Sequence, residues 1–167
     1  MLAILNFHHF DEQIILNLPP FMDTLFNFEF TMSKKIYNIL AADDDLEDLE
    51  LMEDAILSLE PETKIHTVTN GNGVIDFLNN AGDDQLPHLI VLDYNMPELN
   101  GAEVLAQICN EDRLKEIPKI ILSTSGAPLH INECMNSGAT EYFVKPNNLA
   151  DLEALARKML DFCKRKN

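Results

Sequence analysis

Along residues 36–165, runs of consecutive apolar residues alternate with stretches in which apolar residues recur every three or four positions. "IYNILAA" (36–42) is a short apolar run. Leu46, Leu49, Met52, Ile56 and Leu59 then fall on one face of a helix that Pro61 ends. "KIHTVT" (64–69) has the composition of a strand. Asn70-Gly71-Asn72-Gly73 reads as a turn before a short helix around Val74, Ile75 and Leu78. "HLIVLD" (88–93) and "KIILS" (119–123) are continuous apolar runs, which implies strands buried on both faces. Val104, Leu105 and Ile108 mark a helix after Gly101, a glycine expected to take an unusual backbone angle. Ile131, Cys134 and Met135 mark another helix, with Gly138 as its left-handed C-terminal cap. "EYFV" (141–144) is a fifth strand. Leu149, Leu152, Leu155, Ala156 and Met159 give a last helix, and Lys158, Lys164, Arg165 and Lys166 lie toward the end where the dipole favours cations.

Five strands alternating with five helices predict an α/β fold, a doubly wound five-stranded parallel sheet. In such a sheet the ligand site lies beyond the carboxyl ends of the strands. Asp43, Asp44 and Asp45 follow the first strand, Asp93 ends the third, Ser123 ends the fourth and Lys145 follows the fifth. All fall on that one edge.

Residues 1–31 differ from this pattern. They are rich in Phe, Asn, Leu and Ile, contain Pro19-Pro20 and lack Lys and Arg. "MSKKIYNILAADDD" has the look of a fresh start at Met32, so residues 1–33 read as an N-terminal extension, disordered or a mis-assigned start, with the domain proper at 34–167. The competing expectation is a docking segment, an amphipathic helix. His8-His9 point apart on any regular element and do not form a metal pair.

The formal net charge of −16 repels nucleic acid and anionic lipid and suits basic partners or cations. No apolar run reaches the ~18 residues of a membrane span, and the opening lacks the basic region and cleavage site of a signal peptide. Cys109, Cys134 and Cys163 follow no CxxC spacing and read as free thiols of a reducing cytoplasm.

Carboxylates gathered on one edge need a counter-charge, and oxygen donors at this density suit a hard divalent cation such as Mg²⁺. With Lys145 as a compact positive charge and Ser123 as a hydroxyl donor, the set fits phosphoryl transfer onto a carboxylate. The helix acids beyond Asp45 (Glu47, Asp48, Glu50, Glu53 and Asp54) read as a solvated face.

"ILAADDDLED", "LIVLDYNMPELNG", "IPKIILSTS" and "GATEYFVKP" occur in the order of four motifs of the response regulator receiver domain of two-component signalling, and residues 36–165 resemble that family. The resemblance implies a flavodoxin-like sheet of strand order 2-1-3-4-5, and that Asp93 accepts a phosphoryl group from a histidine kinase or phosphotransfer protein. It implies Mg²⁺ on Asp43, Asp44, Asp93 and the Asn95 carbonyl, with Lys145 and Ser123 on the phosphoryl oxygens. The run of three aspartates leaves this register open by one. Counting from the end of "ILAA" favours Asp43 and Asp44, with Asp45 at the helix cap. The family further implies a cis Lys145–Pro146 bond, Tyr142 as a rotamer switch, and a responsive face built from the fourth helix, fifth strand and fifth helix. Asn95 and Ser125 would tune how readily water reaches the phosphoryl group. Asn147 stands where the family usually has an aromatic. With little chain after the last helix, the expectation is a stand-alone cytoplasmic receiver, not an enzyme. It would act through a downstream target protein, as a monomer or phosphorylation-dependent dimer. The alternatives are an aspartyl-phosphate phosphohydrolase, against which Asn95 replaces the needed second acid, and a phosphorylation-independent interaction module.

Overall fold

The computed structural model describes residues 35–165; the expectations for residues 1–33 and for Lys166 lie outside the described residues. Its five strands are β1 (Asn38–Ala42), β2 (Lys64–Val68), β3 (Leu89–Asp93), β4 (Lys119–Ser123) and β5 (Glu141–Val144). The helices between and after them are α1 (Leu46–Leu59), α2 (Gly71–Asn80), α3 (Gly101–Ile108), α4 (Pro128–Asn136) and α5 (Leu149–Arg165). A 3₁₀ turn, Asp83–Gln85, occupies the loop before β3. The sheet is wholly parallel in the order β2-β1-β3-β4-β5.

The apolar runs explain the layering. Side chains alternate across a strand, so a run that is apolar throughout must meet a helix on both sides. β3 and β4 are buried at every position. Leu40, Ile90, Leu92 and Ile121 pack with Val74, Leu78, Val104, Leu105 and Cys134 of α2, α3 and α4. Ile39, Leu89, Val91 and Ile120 turn the other way, onto Leu49, Met52 and Ile56 of α1 and Leu155, Met159 and Leu160 of α5. β2 and β5 are the edges and are only partly buried.

Several element ends differ from the sequence reading, each for a local reason. β1 begins at Asn38 rather than Ile36, which is exposed. The Asn70–Gly73 segment is less a turn than a helix start. Asn70 caps α2 by accepting from the Gly73 N–H at 2.7 Å, and Gly71 is already helical. Leu46 and Leu149, each the first residue of its helix, are exposed at 61% and 76% and lie off the buried stripes. Met135 is likewise exposed. Lys158 lies within α5 and sits over the Phe143 ring, while Lys164 and Arg165 occupy the last turn. Gly138 does take the left-handed form, with φ 102°. It closes α4 in a Schellman motif, with Gly138 N–H to the Met135 carbonyl and Ala139 N–H to that of Cys134. Cys109, Cys134 and Cys163 form no disulfide among the described residues. No helix among the described residues is long and apolar enough to cross a membrane.

α3 is short, so its start matters. Asn100 and Glu103 form a reciprocal capping box, each side chain accepting from the other's backbone N–H at 2.9 Å. Asn100→Ala is expected to lower stability by about 1 kcal/mol, the usual loss for such a cap. A urea titration with unchanged slope and a lower midpoint would show it; an unchanged midpoint would mean the cap contributes nothing.

Candidate functional site

The carboxyl edge of the sheet is extended by backbone bonds that fix the residues just past each strand. Asp43 N–H donates to the Val68 carbonyl at 3.1 Å, Tyr94 N–H to that of Leu122 at 2.9 Å, and Lys145 N–H to that of Ser123 at 2.8 Å. Three strand ends therefore hold Asp43, Asp93 and Lys145 in place before any side chain is considered.

The side chains converge. Lys145 Nζ lies 2.7 Å from Asp43 Oδ2, 2.8 Å from Asp93 Oδ1 and 2.8 Å from Asp48 Oδ2. Asp43 and Asp93 are both only 4% exposed. The other oxygen of each is held by backbone: Asp43 Oδ1 accepts from the Asp45 N–H at 3.1 Å, and Asp93 Oδ2 accepts a short bond from the Asn95 N–H. Asp44 is exposed, and its carboxylate comes within 4.8 Å of those of Asp43 and Asp93. Asp45 caps α1 by accepting from the Glu47 N–H at 2.9 Å, so the cluster takes Asp43 and Asp44 while Asp45 turns to the helix.

Burial pushes the carboxyls of Asp43 and Asp93 above the ordinary carboxylate range, against the pull of Lys145. Burial alone would lower Lys145, but its hydrogen bonds to Asp43, Asp48 and Asp93 outweigh that and raise it well above an ordinary lysine. Asp43, Asp48 and Asp93 thus share one ammonium, with the Asp44 carboxylate beside Asp43 and Asp93, an excess of negative charge on oxygen donors alone. That donor set fits a hard divalent cation, which takes carboxylates and carbonyls and keeps some of its waters.

Ser123 is fully buried at the end of β4, and its Oγ accepts from the Ser125 N–H at 3.2 Å. Ser125 Oγ in turn accepts from Ala127 N–H, which shapes the loop into α4. Tyr142 donates its hydroxyl to the Ser125 carbonyl at 2.6 Å, so the ring is tied to the same loop.

Three sequence expectations need correction. No peptide bond among the described residues is cis, and Lys145–Pro146 is trans, the form X–Pro bonds prefer by about 0.5–1 kcal/mol. Gly101 has no positive φ. A Cβ there would lie 2.6 Å from the Asp93 carbonyl oxygen, so its role is to let α3 approach β3 closely. The left-handed residue of this loop is Glu98, φ 70°, whose carboxylate accepts from the Asn72 amide at 2.6 Å. Third, Asp48 is not part of a solvated face; it pairs with Lys145. Its position four residues after Asp44, beside the buried stripe of Leu49, Met52 and Ile56, was the one available signal.

A further contact escaped the sequence reading. Tyr94 donates its hydroxyl to Glu133 of α4 at 2.8 Å and stacks on His130 at 4.5 Å between ring centres. The bond to Glu133, together with burial, pushes the phenol up to about 12. Through Tyr94, the residue after Asp93 holds the helix that the fourth strand leads into.

Residues 39–157 match the family model described as response regulator receiver domain. The chain belongs to the response regulator receiver family. Among curated receivers, two-component response regulator ARR17 of Arabidopsis thaliana is 36% identical over 133 residues, covering 74% of this chain and 85% of that one. Two-component response regulator ORR4 of Oryza sativa subsp. indica is 33% identical over 140 residues, and this chain spans 60% of its length. Among solved receivers, the phosphorylated cyanobacterial phytochrome response regulator RcpA superposes with a TM-score of 0.71 at 28% identity, over 80% of this chain and 97% of that one. The Mn²⁺-bound form of response regulator Rcp1 gives 0.66 at 27% identity, over 78% and 96%. The chain thus carries a receiver domain of two-component signalling, on the flavodoxin-like sheet order that the resemblance implies.

Proposed function

We propose that residues 34–167 act as a phosphorylation switch, with Asp93 as the phosphoacceptor and a histidine kinase or phosphotransfer protein as the donor. The observation that carries this reading is the convergence of Lys145 on Asp93 and Asp43, with the Asp44 carboxylate within reach of both. A buried carboxylate with one oxygen on an ammonium and the other on a backbone N–H is held in one orientation at the sheet edge. In the transfer, an Asp93 oxygen forms a bond to phosphorus as the P–N bond of the donor's phosphohistidine breaks. The electron pair leaves on the imidazole, which takes a proton. Asp43, Asp44, Asp93 and the Asn95 carbonyl would hold Mg²⁺. Bound there, the cation supplies positive charge against the phosphoryl oxygens. That Rcp1 has a Mn²⁺-bound form and RcpA a phosphorylated one, both similar receivers, supports a divalent cation and a phosphoryl group as what this chain takes up.

Lys145 and the Ser123 hydroxyl would take phosphoryl oxygens. Ser123 drawn toward the phosphoryl group would move the Ser125 carbonyl that Tyr142 holds, and so pass the change to the face of α4, β5 and α5. Leu129, Met135 and Val144 expose apolar surface on that face, suited to a protein partner or to a phosphorylation-dependent dimer. We assign the activity to the cytoplasm, where phosphohistidine donors work, with output by contact rather than by catalysis on a small substrate.

Incubation with acetyl phosphate and Mg²⁺ tests this. The expected result is a single acid-stable, base-labile phosphoryl adduct mapped to Asp93, absent in Asp93→Asn and with EDTA. Steady release of phosphate from many phosphoesters would point to a hydrolase instead, and no adduct to an interaction module.

A further inference from the structure

The ammonium of Lys145 has three N–H donors, and three carboxylates already take them. A phosphoryl oxygen can be received only if one of the three lets go. Asp43 is nearly buried and has its second oxygen held by the Asp45 N–H. Asp93 carries the incoming group itself. The Asp48 side chain, in contrast, is 40% exposed, on the first turn of α1, with solvent at hand to replace the lysine. It is the cheapest of the three to release.

Resting on the phosphoacceptor reading above, we propose that Asp48 is a positioning residue that acts as a brake: it competes with the phosphoryl group for Lys145 and lowers the site's affinity for a phosphoryl anion. Two effects give this the same sign. Asp48 occupies the donor that the phosphoryl oxygen needs. Its negative charge, one ammonium away from Asp93, also repels a second anion there. The opposite role, a tether that keeps Lys145 aimed at Asp93, requires the opposite sign, because removing it would weaken anion binding.

Beryllofluoride, a stable mimic of the phosphoryl group, separates the two. Its binding is titrated by ¹⁹F NMR in saturating Mg²⁺ with the full chain, Asp48→Asn, Asp48→Glu and Asp93→Asn. Asp48→Asn is expected to bind about three- to tenfold more tightly, the scale of a half-exposed ion pair. Asp48→Glu, which keeps the charge, should return to the behaviour of the natural chain, and the gap should narrow at high salt. A merely damaged site would bind the anion more weakly, so tighter binding cannot come from loss of structure. Equal or weaker binding by Asp48→Asn overturns the brake while leaving Asp93 as phosphoacceptor, provided the natural chain binds and Asp93→Asn does not. If the natural chain and Asp93→Asn both fail to bind, the phosphoacceptor reading falls and the brake falls with it.

Discussion

Lys145→Met is expected to cost about 2–3 kcal/mol of stability in metal-free buffer near neutral pH, below the ~3–5 kcal/mol of a fully buried pair because Asp48, one of its three partners, is partly solvated. The reason lies in what the ammonium leaves behind. Asp43 and Asp93 are 4% exposed, and burial already raises both carboxyls with Lys145 in place. Without it, burial acts with only backbone N–H groups to oppose it, and both carboxyls rise further. A carboxyl whose folded-state pKa exceeds its unfolded value binds its proton more tightly in the native state. Its destabilisation is therefore complete above the folded pKa and disappears as the pH falls through that value toward the ordinary carboxylate range. The deficit of Lys145→Met should accordingly shrink on acidification, and adding Mg²⁺ at neutral pH should recover part of it. Urea midpoints at several pH values, with EDTA or Mg²⁺, read all three effects. A deficit that grew on acidification would contradict this electrostatic account, and a variant as stable as the natural chain at neutral pH would show that the pairs contribute little.

The parts of this molecule that were legible in its sequence are those governed by short-range pattern. β3 and β4 must be buried on both faces, and a continuous apolar run encodes that without reference to anything distant. Once the alternation of strands and helices is read, the carboxyl-edge rule places Asp43, Asp93, Ser123 and Lys145 together. Asp48 was hidden because its partner lies 97 positions away in the chain, and a helical wheel sees only a polar residue at the border of a buried stripe. Tyr94 was hidden for the same reason, since Glu133 and His130 come from α4. The start of α2 was misread because Asn-Gly-Asn-Gly carries a turn signal and a capping signal at once. The cap decides between them: Asn70 accepts from the Gly73 N–H, and Gly71 is required because a Cβ there would run into the Leu99 carbonyl oxygen.

Gly101→Ala tests whether close approach, rather than backbone freedom, is what that glycine provides. Two effects oppose each other. Alanine favours a helix by about 1 kcal/mol over glycine, and Gly101 is the first helical residue of α3, where the gain is smaller. The added methyl would sit 2.6 Å from the Asp93 carbonyl oxygen and 3.0 Å from Ile121 Cδ1. The isoleucine tip can give way, but the carbonyl is backbone and belongs to the strand end that carries Asp93. Gly101 N–H is also bonded to the Tyr94 carbonyl at 3.0 Å, which keeps α3 from sliding off. Overpacking of this kind costs roughly 1–3 kcal/mol, so the balance is a net loss of about 1–2 kcal/mol. Because the displaced atom lies at the phosphoacceptor, weaker acetyl phosphate labelling should accompany the lower midpoint. Gly126→Ala is the matched control: its Cβ would meet nothing closer than Val144 Cγ2 at 3.5 Å, and its φ is not positive, so stability should be unchanged or slightly higher. If Gly101→Ala were as stable as Gly126→Ala, α3 would have room to step back, and the position of Asp93 would not depend on how closely the helix packs beneath it.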